Sequence, residues 1–242
     1  MDPTHGGGDE RAAQLATSLG AVRARIGRAC DAAGRDPREV TLIAVTKTCP
    51  AADVAALARL GMLDVAESKD QEAQRKRAEL PAETASAVRW HMIGRIQSNK
   101  ARAIGSWAHA VHSVDRLKLV GPLGEGAAER AEPLDVFVQV SLDDDPERGG
   151  APQGQVAAIA DAVAGRDGLR LRGLMAVPPI GADPGQSFAR LRELSGHLQH
   201  DHPSAGALSA GMSSDLEAAV ANGSTHVRVG TALLGRREQI VS

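Results

Sequence analysis

The sequence predicts an α/β fold, namely a parallel (β/α)8 barrel with an extra N-terminal helix. Eight short β-type stretches alternate with helical patterns along 242 residues, and a barrel of this kind typically has roughly 250 residues. Such alternation requires parallel strand pairing through crossover helices. A doubly wound open sheet is the alternative, but its expected Gly-x-Gly-x-x-Gly after the first strand is absent. The barrel is therefore the favoured architecture.

The predicted elements follow one another with short connections. Residues 1–10 are predicted to be a disordered lead-in and residues 11–242 one barrel domain, which opens with an amphipathic helix over about 11–33. Apolar β-type runs predict the strands, as in the first, Val-Thr-Leu-Ile-Ala-Val-Thr. The strands are predicted at Val40–Thr46, Leu63–Ala66, Val88–Ile93, Ala110–Ser113, Leu134–Ser141, Leu169–Met175, Ala207–Ala210 and Thr225–Val229. Helices are predicted at Ala51–Leu60, Lys69–Leu80, Ser98–Ile104, Asp115–Arg130, Pro152–Ala164, Pro184–His200, Ser214–Ala221 and, after the last strand, Thr231–Leu234.

Composition argues against several classes of function. Hydrophobic residues make up 43% and charged residues 24% of the chain, which is typical of a soluble globular protein. A net charge of −2 gives no electrostatic basis for binding nucleic acid or an anionic membrane, and two Trp, two Phe and no Tyr offer little for base stacking. No apolar run is long enough to span a membrane, and the N-terminus lacks the apolar region of a secretory signal. Cys30 and Cys49 match no zinc or Cys-x-x-Cys spacing, so we expect reduced thiols in a cytoplasmic protein.

A lysine closes the first predicted strand. Lys47 follows the apolar run Val40–Thr46 and precedes a helical pattern. The carboxyl ends of barrel strands carry the chemistry of such folds, and desolvation there can give a lysine the neutral amine that attacks a carbonyl. The alternative is a surface lysine that ends an ordinary strand. A phosphate site elsewhere in the chain favours the first interpretation, because a phosphorylated aldehyde would need both features.

The loops after the seventh and eighth predicted strands have a pattern typical of phosphate sites. Ser213 and Ser214 are predicted at the start of a helix, and Ser214-x-x-Glu217 has the spacing of a capping box. Gly230 and Thr231 open the short helical stretch after the eighth strand. Hydroxyls and exposed amides at helix starts favour an anion, and barrels often bind phosphate in these two loops. Helix capping alone is the alternative for either loop.

Arg228 lies on the eighth predicted strand between two valines. Strand alternation directs its side chain either into the barrel mouth or outward between the helices. An outward arginine would pair with a helix carboxylate. Periodicity alone leaves both orientations open.

Other polar clusters are interpreted as solvated surface. His197-x-x-His200-x-His202 has metal-ligand spacing, but it lies at the end of a predicted helix, away from the strand ends. The run Asp143–Asp145 is interpreted as a solvated acidic loop, and the run Arg75–Arg77 as an exposed helix face. No metal site is predicted.

Five stretches of the chain carry a resemblance to a known family. Together they run in family order from about residue 42 to residue 235, and the combination is highly specific. The chain resembles the pyridoxal phosphate homeostasis proteins, single-domain relatives of the barrel of alanine racemase. The stretches are Leu-Ile-Ala-Val-Thr-Lys-Thr at 42–48, Trp-His-Met-Ile-Gly-Arg-Ile-Gln-Ser-Asn-Lys at 90–100, Arg-Gly-Leu-Met-Ala-Val at 172–177, Gly-Met-Ser-Ser-Asp-Leu-Glu-Ala-Ala at 211–219 and Val-Arg-Val-Gly-Thr-Ala at 227–232.

The resemblance implies a fold-type III TIM barrel that binds pyridoxal 5′-phosphate (PLP) as a Schiff base with Lys47. Arg228 matches an arginine at the cofactor, and whether it contacts the pyridine nitrogen or the phosphate is left open. The family's usual Gly-Glu-Asn after the second strand is here Ala66-Glu67-Ser68. The phosphate contacts are expected on Ser209 or Ser213, Gly230 and Thr231.

Different classes of function are compatible with this fold. An amino-acid racemase of this type uses a tyrosine of the partner subunit as its second acid/base and carries an additional β domain, whereas this sequence contains no tyrosine and no such domain is expected. An arginine at the pyridine nitrogen would also weaken the cofactor as an electron sink. A class I aldolase is disfavoured by the paired phosphate loops and the family motifs. The prediction is therefore a PLP carrier in intracellular PLP homeostasis, a monomer or weak homodimer with no catalytic residue, whose partners are PLP and apo PLP-dependent enzymes.

Overall fold

Eight parallel strands close into a barrel in the computed structural model, which describes residues 5–143, 145 and 149–235. Each strand pairs with its neighbours in chain order, and the first pairs with the last to close the ring. This topology confirms the predicted (β/α)8 barrel. The strands are β1 Thr41–Val45, β2 Asp64–Glu67, β3 Arg89–Met92, β4 Ala110–Val114, β5 Leu134–Gln139, β6 Leu169–Met175, β7 Ala207–Ser209 and β8 His226–Val229.

The helices surround the barrel. Short 3-10 segments at 37–39, 98–100, 117–119 and 153–155 precede β1, α5, α6 and α7. None of the helices within the described residues is long and apolar enough to cross a membrane. They are α1 His5–Ala33, α2 Ala51–Arg59, α3 Asp70–Glu79, α4 Ala82–Ala87, α5 Ala101–Trp107, α6 Val120–Ala127, α7 Val156–Ala164, α8 Pro184–Asp201, α9 Leu216–Ala221 and α10 Thr231–Leu234.

Several helix boundaries differ from the predicted ones, and one helix is additional. α1 begins at His5, so residues 5–10 are helical, and residues 1–4 of the predicted lead-in lie outside the described residues. The short α4 was not predicted. α6 begins at Val120 rather than at Asp115, which places Pro122 in its first turn. Proline is tolerated there because the first N–H groups of a helix lack intrahelical partners, whereas deeper in a helix it would break a hydrogen bond.

The strands separate two cores. Outward-facing side chains such as Leu42, Ala44 and Val65 pack against the surrounding helices in one large cluster. Inward-facing side chains alternate with them, and Ile43 and Val45 form a second, small cluster inside the barrel. This is the alternation that a strand imposes on its two faces. Several polar side chains also lie in the barrel interior, where Phe137 stacks against His112.

A chain of hydrogen bonds crosses the barrel interior. Asp64 Oδ1 lies 3.0 Å from His91 Nε2, and His91 Nδ1 lies 2.9 Å from His112 Nε2. His112 Nδ1 lies 2.7 Å from Ser209 Oγ, which accepts a hydrogen bond from Arg228 at 2.6 Å. A guanidinium only donates and a carboxylate only accepts, so with both imidazoles neutral the chain runs in one direction. Ser209 then donates to His112, His112 to His91 and His91 to Asp64, and this assigns both imidazoles as Nε2–H tautomers.

Burial shifts the pKa values of the groups inside the barrel. Burial lowers the pKa of His226 to about 3, and it lowers the pKa of His112 well below its ordinary value. Burial alone would raise the pKa of Asp64, but hydrogen bonds from His91 and Arg89 outweigh it and hold the pKa well below its usual range. The interior therefore favours the neutral forms of His112 and His226 and the ionised form of Asp64.

The barrel interior should make stability dependent on pH. The folded pKa of His226 is about 3, below the unfolded value of about 6.5. The unfolded chain therefore binds a proton first, and the stabilisation that is present above pH 6.5 is lost as the pH falls towards 3. Between pH 7 and pH 5 His226 should account for a loss of about 2 kcal/mol. Urea denaturation of wild type and His226→Asn at both pH values measures this difference.

The matched control is His197→Asn, because His197 lies exposed on α8. That variant should lose as much stability on acidification as the wild type. If His226→Asn lost the same amount as the control, the neutral state of the partly buried His226 would be contradicted.

Candidate functional site

The lysine predicted to carry the chemistry lies just beyond β1. Lys47 is exposed, whereas the preceding Thr46 is fully buried at the end of the strand. The N–H of Cys49 donates to the carbonyl of Thr46 at 2.9 Å and closes a tight turn around the lysine. Thr48 in this turn has a φ of 65°, which is unusual for a β-branched residue. Such backbone strain persists where the surrounding structure enforces it, often at functional sites.

Arg228 points into the barrel, which settles the orientation that periodicity left open. The residue is 4% exposed, and its guanidinium donates to Ser209 Oγ at 2.6 Å and to the carbonyl of Ala176 at 3.2 Å. Burial lowers its pKa to about 10, partly offset by the charge of Asp215. Both acceptors are neutral oxygens, so the arginine brings a positive charge to the carboxyl-terminal half of the barrel.

Barrel closure brings Lys47 close to the loop after β8. Ala44 of β1 pairs with Val229 of β8, so that Lys47 and Thr231 follow neighbouring strands into adjacent loops. A Cβ atom built on Gly230 would lie 3.5 Å from Val45, which shows how closely the two strand ends approach. Thr231 itself is exposed at the start of α10.

Ser213 and Ser209 occupy different levels of the barrel. Ser213 lies in the loop after β7, partly buried, and its Oγ accepts a hydrogen bond from the N–H of Ala232 at 3.3 Å. This contact joins the loops after β7 and β8. Ser209 is fully buried within β7, where its hydroxyl is engaged by His112 and Arg228. Ser213 therefore belongs to the surface of the site and Ser209 to the layer beneath it.

The predicted capping box is wrong. α9 begins at Leu216, and Asp215 occupies the N-cap position, so Ser214 precedes the helix and is exposed. Glu217 instead forms a salt bridge with Arg25 of α1, with Nε and Oε1 2.8 Å apart. Pairing with α1, which the local sequence does not reveal, determines where this glutamate points.

The predicted exposed face of α3 contains a buried charge. Arg75 is exposed, as expected, but Lys76 is completely buried. Lys76 Nζ lies 2.7 Å from Glu67 Oε1 and 2.8 Å from Glu72 Oε1. This cluster was not predicted from the sequence. The available signal was that Lys76 falls on the same helical face as the buried Ala73.

The two glutamates of the cluster have opposite pKa shifts. Burial raises the pKa of Glu67, more than the hydrogen bonds from Lys76 and Thr46 lower it. Burial also acts on Glu72, but hydrogen bonds from Lys76 and from the N–H of Thr48 outweigh it and lower the pKa. The contacts thus favour the ionised form of Glu72 and disfavour that of Glu67.

The structure contains no metal centre among the residues that it describes. His197 and His200 lie exposed on α8, and His202 pairs with Asp161 at 2.9 Å, as a solvated helix end would. Asp143 accepts a hydrogen bond from Ser141 at 3.2 Å, and residue 144 of the acidic run lies outside the described residues.

Sequence and structure comparisons agree on one family. The family described as alanine racemase, N-terminal domain, matches residues 17–238. A pyridoxal phosphate homeostasis protein of Mycobacterium bovis is 47% identical over 244 residues, which cover 94% of this chain and 95% of the relative.

Two solved structures share the fold over nearly the whole chain. An unknown protein from Bifidobacterium adolescentis superimposes with a TM-score of 0.85 at 28% identity, over 93% of this chain and 96% of that one. PipY of Synechococcus elongatus PCC7942, solved with PLP bound, has a TM-score of 0.78 at 33% identity, over 91% of this chain and 100% of PipY. This chain therefore belongs to the alanine racemase N-terminal domain family and, within it, to the pyridoxal phosphate homeostasis proteins.

Proposed function

We propose that this protein binds PLP through a Schiff base with Lys47 and takes part in intracellular PLP homeostasis by holding and delivering the cofactor. One juxtaposition carries the proposal: Lys47 stands beside the Gly230–Thr231 loop, with the buried positive charge of Arg228 in the barrel near the same strand ends. An aldehyde that bears a phosphate needs an amine and an anion-binding loop within reach of each other. PipY, a relative at 33% identity, has PLP bound in its structure.

Lys47 fits the covalent part of this role. It is exposed, and the structure records no ion pair between it and any described residue, so its amine is accessible to an aldehyde. The neutral amine displaces the aldehyde oxygen as water, and a C=N bond replaces C=O. PLP bound in this way supplies an electron sink, which its enzymes exploit for amino-acid chemistry.

The loops after β7 and β8 fit the phosphate. Several hydrogen-bond donors lie near these strand ends. They are the hydroxyl groups of Ser213 and Thr231 and the backbone N–H groups of Gly230 and Thr231. Charge-assisted hydrogen bonds to a phosphate are stronger than neutral ones. Ser209, which is buried and engaged by His112, supports Arg228 in this proposal instead of contacting the phosphate.

Arg228 fits a ligand with an electron-rich atom that accepts a hydrogen bond. Its two recorded acceptors are neutral, and a lowered pKa of about 10 still leaves the guanidinium charged at neutral pH. A charged arginine does not give up its proton to a pyridine nitrogen, so a ring nitrogen held there stays unprotonated. That weakens the electron sink and favours a carrier over a catalyst.

Lys47→Ala should abolish the visible absorbance that a Schiff base gives to the protein incubated with PLP. Borohydride should fix a pyridoxyl group on Lys47 in the wild type, and peptide mass spectrometry locates it. Lys69→Ala, which removes an exposed lysine after β2, is the control and should remain yellow. A colourless wild type after incubation with PLP would refute the proposal.

The phosphate contacts should appear in the affinities of paired ligands. Ser213→Ala and Thr231→Val should each weaken PLP binding about ten- to a hundredfold, since a hydrogen bond to a charged group contributes about 1.5–3 kcal/mol. Pyridoxal without the phosphate should lose far less affinity. Ser214→Ala, which changes an exposed neighbour, is the control. Equal losses for both ligands would mean that these residues only stabilise the loops.

The purified protein should turn over amino acids negligibly. Its sequence contains no tyrosine, so the opposite-face acid/base that racemases of this fold use is missing, and general acid–base help contributes about a hundred- to ten-thousandfold in rate. Racemisation, decarboxylation and transamination are assayed across the common amino acids. Turnover at about 1 per second or faster that Lys47→Ala abolishes would establish an enzyme instead of a carrier.

A further inference from the structure

A buried cluster of charges lies directly beneath the turn that carries Lys47. Lys76 and Glu67 both have fully buried side chains, and Glu72 is 16% exposed. Lys76 reaches from α3 to the end of β1, where it donates to the carbonyl of Thr46 at 2.7 Å. Thr46 Oγ1 donates in turn to Glu67 Oε1 at 2.6 Å. The cluster therefore links β1, β2 and α3 just below the candidate site.

Charges in such a place are costly. Removing an ammonium and a carboxylate from water carries a large desolvation penalty, and apolar side chains of similar volume are often as stabilising. One oxygen of Glu67, Oε2, is buried and forms no hydrogen bond in the described structure. The distinctive contribution of this cluster is therefore the geometry that it imposes on the chain around it.

Lys76 and Glu72 together hold the two peptide groups that flank Lys47, and we call this pair of residues the clamp. On one side, Lys76 Nζ holds the carbonyl of Thr46. On the other side, Glu72 Oε1 accepts the N–H of Thr48 at 2.6 Å, and the same oxygen pairs with Lys76 at 2.8 Å. Thr48 sits at a φ of 65°, a conformation that needs external contacts to persist.

We propose that Lys76 and Glu72 are positioning residues that hold the turn around Lys47 so that its amine meets the aldehyde of the bound cofactor. The inference rests on the proposed function, because it assigns these residues to the covalent attachment at Lys47. They act through the backbone of Thr46 and Thr48, which sets the direction of the Lys47 side chain.

The test uses Glu72→Leu and Lys76→Met on the full chain. The rate of Schiff-base formation with PLP is followed by absorbance, and affinity is measured for pyridoxamine 5′-phosphate, which shares the ring and the phosphate but has no aldehyde. Hydrogen exchange of the Thr48 amide reports on the clamp without any cofactor. The matched controls are Glu79→Leu and Arg75→Met, an exposed pair on the same helix.

Both clamp variants should slow Schiff-base formation about ten- to a hundredfold, because displacement of a reacting group by about 1 Å has an effect of this size. Affinity for pyridoxamine 5′-phosphate should stay within about twofold of wild type, since the ring and phosphate contacts are intact. Exchange of the Thr48 amide should accelerate at least about tenfold in Glu72→Leu. Glu72→Gln keeps an acceptor for Thr48 and should restore most of the rate, which a loss of general stability would not explain.

The inference is overturned if Glu72→Leu forms the Schiff base as fast as Glu79→Leu, whether or not the Thr48 amide becomes exposed. If Lys76→Met does not fold, Glu72→Leu decides the question alone, because Glu72 lies at the edge of the cluster. A wild type that forms no Schiff base would refute the proposed function itself. In that case the hydrogen-exchange rate of the Thr48 amide alone tests the clamp. An unchanged rate in Glu72→Leu would overturn the inference.

Discussion

The pairing of β1 with β8 is the constraint on which the candidate site depends. Residues at the two ends of the barrel domain, far apart in sequence, become neighbours because a parallel sheet that closes on itself must bring its first and last strands together. Lys47 and Thr231 then lie in adjacent loops at the carboxyl ends of the strands, the face on which barrels carry their chemistry. An open sheet of these strands in the same order would leave Lys47 and the Gly230–Thr231 loop at opposite edges.

Two different polar networks, one on each face of the barrel wall, hold the residues around this site. Inside, the hydrogen bonds from Asp64 to Ser209 run in one direction and hold the guanidinium of Arg228 in place. Outside, between the strands and α3, Lys76 and its glutamates hold the backbone of the Lys47 turn. Both networks bury charge, which is costly. Fixed polar groups therefore lie on both sides of the strand ends next to the exposed Lys47.

Much of the fold was predictable from the order of the elements. Apolar runs of strand length alternate with helical patterns, and parallel pairing with crossovers is the arrangement that buries both faces of such strands. The loops after the first, seventh and eighth strands could therefore be assigned to one face from the sequence. Helix ends were less predictable: α6 begins only at Val120, with Pro122 in its first turn, and α9 begins after Asp215 instead of at Ser214.

The sequence by itself determined the barrel, the family and the position of Lys47 at a strand end, because these follow from periodicity and from contiguous motifs. Only the tertiary structure decided which way Arg228 points, that Lys76 is buried and that Ser209 lies beneath Ser213. These features depend on pairs of residues brought together by barrel closure and helix packing. A charged side chain on a strand or helix looks the same in sequence whether it faces water or a buried partner, and only the packed neighbours determine which of the two has the lower free energy.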